Sequence, residues 1–318
     1  MPANEPTPPI LSLSKDTLRL PEDELPRLRR ALLAWHRRHG LRAPWRTSGD
    51  PYQVLVAAVM AQQTQMSRVL PKFDEFVAAF PTVEKLARAS TAKVLRLWSG
   101  LGYNLRALRL QQAARRIVRE GGFPRTAAEL EQIEGVGPFT AAIVASFAFG
   151  EPVAAFDTNV RRVVARLLGD IDGRLTEREL RAAADALVSR RAGGRWNQAM
   201  MDLGGQVCTA RAPRCGSCPL ARWCRARPQF AKAGHRVAEG RASYRAQPRR
   251  TGTAFRGSRR YYRGRIVQAL RELPPGASLS PAELLDDGID EAKLAELVEA
   301  LRRDGLLRVV AGGRLRLP

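Results

Sequence analysis

Four cysteines crowd into one short run, CTARAPRCGSCPLARWC, as Cys208, Cys215, Cys218 and Cys224, and the chain has no others. Their spacing is C-x6-C-x2-C-x5-C. Thiols this close in sequence can close around one metal centre without help from distant parts of the fold. Three chemistries are open to them. Disulfides suit a secreted chain. The N-terminus, MPANEPTPPILSLSKD, has no basic segment followed by an apolar stretch, so no export signal is visible. A structural zinc site built from four cysteines usually shows two C-x2-C knuckles, and this run has one. A [4Fe–4S] cluster needs four thiolates and reducing surroundings.

The charge balance narrows the partners. Lys and Arg number 53 against 31 Asp and Glu, for a formal net charge of +22. So large an excess favours a polyanion. A bias towards arginine, without a dedicated basic patch, is the plainer alternative. No apolar run is long enough to span a bilayer. No helix sets a strongly basic face against a broad aromatic one, so binding to a membrane surface is not expected.

The chain divides into segments. Residues 1–24 are rich in proline and read as a loosely attached arm. Residues 25–224 carry sustained helical periodicity. Residues 225–262 are polar and rich in arginine and read as a basic linker. Residues 263–318 read as a small separate domain. There RIVQALREL is helical, Ser280 and Pro281 open a further helix, DEAKLAELVEALRRDGLL is amphipathic and stops at Gly305, and LRVVAGGRLRLP alternates around Gly312 and Gly313 as a hairpin. Three helices followed by a hairpin suggest a winged-helix module.

Two further signals lie inside the helical region. TAAELEQI reads as a helix, followed by Glu134-Gly135-Val136-Gly137-Pro138 and then the apolar stretch FTAAIVASFAFG. Glycines on either side of one apolar residue permit a tight turn and leave backbone N–H groups uncovered. Pro138 suits the first helical position. N–H groups at a helix start can hold a phosphate, a grip with no preference for sequence. An ordinary turn between helices would look the same. Downstream, in VAAFDTNVRRVVARLLG, Asp157 precedes an amphipathic helix. It suits a helix N-cap, and a rigidly held cap can also present its carboxylate to a cleft. Arg161 and Arg162 in the next turn are placed to pair with it or with phosphate.

The glycine hairpin, the aspartate downstream and the four-cysteine loop, in this order, resemble the iron–sulfur branch of the helix–hairpin–helix DNA glycosylases. APWRTSGDPYQVLVAAVMAQQTQ, FPTVEKLARAS, LWSGLGYNLRALRLQQAA and WNQAMMDLGGQVCTARAPRC are similar to the MutY-type adenine glycosylases in particular. The resemblance spans roughly residues 26–226. It implies an all-α fold of two helical lobes over residues 25–207, an iron–sulfur loop at 208–224 holding a [4Fe–4S] cluster on the four cysteines, and a target nucleotide swung out of double-stranded DNA. It implies that Asp157 is the catalytic carboxylate, assisted by Asn159. Gln62 and Gln63, Tyr103, and Gly135, Val136 and Gly137 would contact DNA, Gln63 as a wedge in the base stack and Tyr103 beside the partner base.

Two departures shape the expected chemistry. Where bifunctional members of the family carry a nucleophilic lysine, this chain has Phe139, and no lysine occurs between Lys93 and Lys232. A Schiff-base lyase is therefore not expected. Where adenine-specific members carry a glutamate that acts as an acid, this chain has Ala58. Residues 263–318 are also too short and too helical for the β-rich domain that senses 8-oxoguanine in typical adenine glycosylases. The expectation is a monofunctional base excision repair glycosylase acting on adenine opposite 8-oxoguanine or guanine. The alternatives are a uracil or thymine mismatch glycosylase, or a DNA-structure-binding protein that has lost catalysis. The expected partner is double-stranded DNA with a damaged or mismatched base, the expected state monomeric, and the expected location cytoplasmic, nucleoid-associated if the source is bacterial, with no membrane involved.

Overall fold

The computed structural model describes residues 23–231, 255–285 and 289–318. Most of the proline-rich arm and residues 232–254 of the basic linker lie outside these. Fourteen α-helices follow one another among the described residues: α1 Leu25–His39, α2 Pro51–Ala61, α3 Met66–Ala79, α4 Val83–Arg88, α5 Thr91–Leu97, α6 Leu105–Arg119, α7 Ala127–Leu130, α8 Pro138–Ala148, α9 Thr158–Leu168, α10 Glu177–Leu187, α11 Gly193–Gln206, α12 Arg227–Ala231, α13 Arg259–Glu272 and α14 Glu291–Arg303. Helix makes up 61% of the structure and the one sheet described has two strands, so the all-α expectation holds. The chain forms two compact units, residues 1–42 with 150–245 and residues 43–149 with 246–318.

The first unit is built on amphipathic stripes. Leu28, Leu32 and Trp35 recur along α1, and Val160, Val163, Val164, Leu167 and Leu168 recur along α9 at the helical period. Both stripes, with Leu180 and Leu187 of α10 and Trp196, Met200 and Leu203 of α11, form one core. Each such side chain contributes about 1.5–3 kcal/mol by leaving water. Helix ends are set locally. Thr176 and Glu179 form a reciprocal capping box at the start of α10, and left-handed Gly169 ends α9.

The second unit is centred on two helices that are apolar nearly all round. Val54 through Met60 of α2 and Thr140 through Ser146 of α8 are all buried, and the two helices pack together. Alanines on both permit the close approach. α7 is shorter than TAAELEQI suggested. Its Thr126–Glu129 capping box starts it, but regular helix stops at Leu130, because the chain must already turn towards the hairpin.

The C-terminal segment has two of the three expected helices, α13 and α14, and the hairpin. Ser280 caps a 3₁₀ turn rather than an α-helix. β1 Arg308–Val309 and β2 Leu315–Arg316 pair antiparallel, with Val309 facing Leu315, and Gly312 and Gly313 both take left-handed φ between them. This module docks on helices of its own unit. Arg96 of α5 donates to the carbonyls of Arg271 and Leu273, Arg271 donates to Asn104, and the Ala92 N–H donates to the Pro318 carbonyl.

Candidate active site and cysteine loop

The first unit carries the candidate carboxylate. Asp157 sits at the N-cap of α9, and its Oδ1 accepts from the Val160 N–H at 2.7 Å. Its Oδ2 accepts from Asn159 Nδ2 at 3.0 Å. Both oxygens are thus oriented, and the D-x-N pattern is a single hydrogen-bonded pair. The approach to Asp157 is also fixed. Asn197 of α11, 1% exposed, accepts from the Ala155 N–H and donates to the Val153 carbonyl.

Sequence reading placed Arg162 against Asp157 or phosphate. Instead its guanidinium donates to Asn159 Oδ1 at 2.8 Å, to the Gly204 carbonyl at 2.7 Å and to the Cys208 carbonyl at 2.8 Å. A continuous path of hydrogen bonds runs from the Asp157 carboxylate through Asn159 and Arg162 to the first cysteine of the loop. α11 lies very close along this path. A Cβ on Gly204 would stand 2.7 Å from Asn159 Cβ.

None of the four cysteines is in a disulfide. Cys208, Cys215, Cys218 and Cys224 all line one small cavity, with Arg166 and Phe230 in its wall. Arg166 donates to Cys208 Sγ and to the carbonyls of Thr209 and Ala210. Burial pushes the Cys218 thiol up to about 11 and raises Cys224 and Cys215 as well. Thiolates in so dry a setting need metal cations beside them. Among the described residues no group of three or more Cys, His, Asp or Glu is placed to hold a single ion. Four thiols around one cavity suit a cluster that takes one thiolate per iron.

The second unit gathers the residues expected to touch DNA. Gly135 has φ +86, and a Cβ there would meet Arg109 Cβ at 2.9 Å, so the turn requires glycine twice over. Val136 is buried and its N–H donates to the Ile133 carbonyl. That amide is therefore engaged. Gly137 is the N-cap of α8, the kind of helix start that can hold an anion. Gln62 ends α2 and donates to Thr140 Oγ1. Gln63 and Tyr103 are the two non-glycine residues with left-handed φ, at 53 and 46, among those described.

One residue that sequence reading missed ties these loops together. Arg106, 7% exposed, donates to the carbonyls of Val59, Met60 and Gln62 at the end of α2. It also donates to Thr64 Oγ1 and to the carbonyls of Leu101 and Gly102. Burial lowers its guanidinium to about 10, still cationic at neutral pH. In the sequence it is one arginine among several in LRALRLQQAARR.

Residues 56–190 match the HhH-GPD superfamily base excision DNA repair protein family, and residues 208–224 match the iron-sulfur binding domain of endonuclease III. The adenine DNA glycosylase of Mycobacterium tuberculosis is 40% identical over 296 residues, which cover 90% of this chain and 92% of that protein. The adenine DNA glycosylase of Homo sapiens is 38% identical over 241 residues, 71% of this chain and 44% of the human one. Among solved structures, a thermostable thymine-DNA glycosylase aligns with a TM-score of 0.61 at 25% identity, covering 65% of this chain and 98% of that one. A trapped covalent complex of endonuclease III with DNA aligns at 0.57 and 23% identity, covering 67% and 100%, a likeness of fold. With the four thiols around one cavity, the match over 208–224 assigns the loop a [4Fe–4S] cluster, and the zinc and disulfide readings fall away.

Proposed function

We propose, for a chain that belongs to the adenine DNA glycosylases of the HhH-GPD base excision DNA repair superfamily, hydrolysis of the N-glycosidic bond of adenine mispaired with guanine or oxidised guanine in double-stranded DNA. The observation that carries this reading is the Asp157 carboxylate, held through both oxygens at the head of α9.

Cleaving the bond builds positive charge on the deoxyribose. A carboxylate near C1′ stabilises that oxocarbenium-like state, and water then adds to C1′ while the base leaves with a proton. Asn159 and Arg162 hold Asp157 for this work without themselves reaching the sugar. When bound, the cluster supplies iron–thiolate bonds that fix the loop to which Arg162 is anchored. Phe139 stands where an amine nucleophile would be, so the product is a free abasic site and not an enzyme-linked sugar. Gly137 and the start of α8 grip phosphate, while Gln62, Gln63 and Tyr103 meet the base stack.

Ala58 favours a second reading. It is buried in α2 and supplies no proton, whereas adenine leaves poorly unless its ring is protonated; losing a general acid costs about 10²–10⁴-fold. Uracil and thymine leave as anions delocalised over their ring oxygens and need hydrogen bonds more than a proton. Single-turnover base release from A·8-oxoG, A·G, U·G and T·G duplexes, each followed by alkaline cleavage, decides. The adenine reading expects release from the first two, and an equal or faster rate in Ala58→Glu. Release confined to U·G and T·G, with no gain in Ala58→Glu, overturns it. Efficient borohydride trapping of an enzyme–DNA adduct would overturn the monofunctional assignment.

A further inference from the structure

Arg166 of α9 holds both ends of the cysteine run. Only 5% exposed, it donates to Cys208 Sγ at 3.3 Å and to the carbonyls of Thr209 and Ala210 at 2.8 and 2.9 Å. Its own carbonyl accepts from the Ala226 N–H at 3.1 Å and lies 3.4 Å from Cys224 Sγ. The first and last cysteines are thus tied to one residue. Guanidinium N–H groups point outwards in the plane of the group, so such bonds leave its two faces free to stack.

One of those faces meets an aromatic ring. Arg166 Cζ lies 4.8 Å from the centre of the Phe230 ring. Phe230 belongs to α12, beyond Cys224 and outside the 208–224 stretch that matches the iron-sulfur binding domain. Arg227, Pro228 and Gln229 of the same helix are exposed, whereas Phe230 is half-buried and lines the cavity that the four cysteines share. α12 therefore turns its one aromatic side chain towards that cavity.

A cluster held by thiolates is lost when water or another ligand displaces sulfur from iron, and the apolar shell around a metal site governs that access. An N–H···S bond, for its part, is strongest where water cannot compete for the donor. Phe230 stands where it serves both ends, in the wall of the cavity and over the guanidinium that bonds Cys208. We propose that Phe230 is a lid on the iron–sulfur site, a positioning residue that keeps Arg166 on Cys208 and shuts water and competing ligands out of the cavity. This rests on the cluster assignment and not on which base is excised.

The test follows iron in the full-length protein purified without air. The protein is mixed anaerobically with EDTA, and the loss of visible iron–thiolate absorption is timed. Relative to wild type, Phe230→Tyr should lose its cluster within about twofold of the same rate, Phe230→Leu about threefold faster and Phe230→Ala about tenfold faster. Gln229→Ala, a change at an exposed neighbour, should match wild type. A wild-type rate in Phe230→Ala would overturn the lid, and a wild-type rate in Phe230→Leu would overturn the stacking on Arg166. Should Phe230→Ala not retain iron through purification, Phe230→Leu against Phe230→Tyr carries the same comparison. A ring that merely packs would leave the iron–sulfur bonds themselves untouched. By resonance Raman, Phe230→Ala and Phe230→Leu should shift the iron–thiolate stretch, because Cys208 loses its N–H bond. Unchanged frequencies would overturn the role towards Arg166. Negligible iron in wild type would overturn the proposal together with the cluster assignment, and would show before any variant is compared. Failure of the glycosylase reading would show separately, as no base release from any mismatch.

Discussion

Asp157 caps α9 and is the proposed catalytic carboxylate, and a single substitution separates the two roles. Asparagine keeps the shape and caps a helix as well as aspartate does, but carries no negative charge. In Asp157→Asn the fold should hold, binding to a mismatched duplex should stay within a few-fold, and single-turnover base release should fall by about three orders of magnitude or more. An unchanged rate would leave Asp157 as a cap and no more. Asp157 was legible as a helix cap because it sits between an apolar run and an amphipathic helix, while its catalytic role and that of Asn159 were suggested only by the resemblance of D-x-N to the family. Arg106 and Arg162 were not legible. In a chain with so many arginines, one that is buried and clamps six backbone and side-chain oxygens looks like any other on the page. What distinguishes it is the set of oxygens it finds after folding, four of which belong to residues 42 to 47 positions away.

At the scale of the element, α11 is where packing reaches the chemistry. It carries two neighbouring glycines that face different surroundings. Gly204 would put a Cβ 2.7 Å from Asn159 Cβ, whereas Gly205 would meet nothing within 4 Å. Alanine stabilises a helix relative to glycine by about 0.5–1 kcal/mol when there is room for it. Gly205→Ala should therefore raise the melting temperature slightly and leave base release unchanged. Gly204→Ala should push Asn159 off Asp157 and slow base release about tenfold or more, with a smaller effect on duplex binding. Equal rates in the two variants would show that Asn159 does not need its place. The sequence displayed both glycines in MDLGGQVC but gave no sign of which one matters, since that depends on a helix some forty residues earlier. The glycine hairpin was more legible, because a left-handed turn leaves its mark in local residue types. The length of α7 was not, since its helix-forming residues run on past the point where the hairpin needs the chain to turn.

At the scale of the whole molecule, the cysteine loop closes a core rather than decorating it. Cys208, Cys218, Trp223 and Cys224 pack against the first unit's core, Leu220 lies within it, and Trp223 donates to Glu24 at the head of α1. Protein purified without exposure to air should contain about four irons per chain. Stripping them should lower the melting temperature by about 5 °C or more, as loss of one or two kcal/mol does in a domain of this size, and should also slow base release through Arg162. One zinc per chain with negligible iron would contradict the assignment, and full activity after complete iron loss would contradict the link to Asp157. The fold class and the loop were legible because spacing and periodicity are local. The grouping of residues 1–42 with 150–245 was not, because no local pattern announces that two distant segments share a core. That grouping has a consequence for how the protein is made. A ribosome delivers α1 first, yet the helices that cover Leu28, Leu32 and Trp35 emerge only after all of residues 43–149 have been made. Those intervening helices can begin to fold as a contiguous stretch while α1 waits with its apolar stripe bare. α1 is thus made before the helices of residues 43–149 and buried only after the later helices of its own unit have been made.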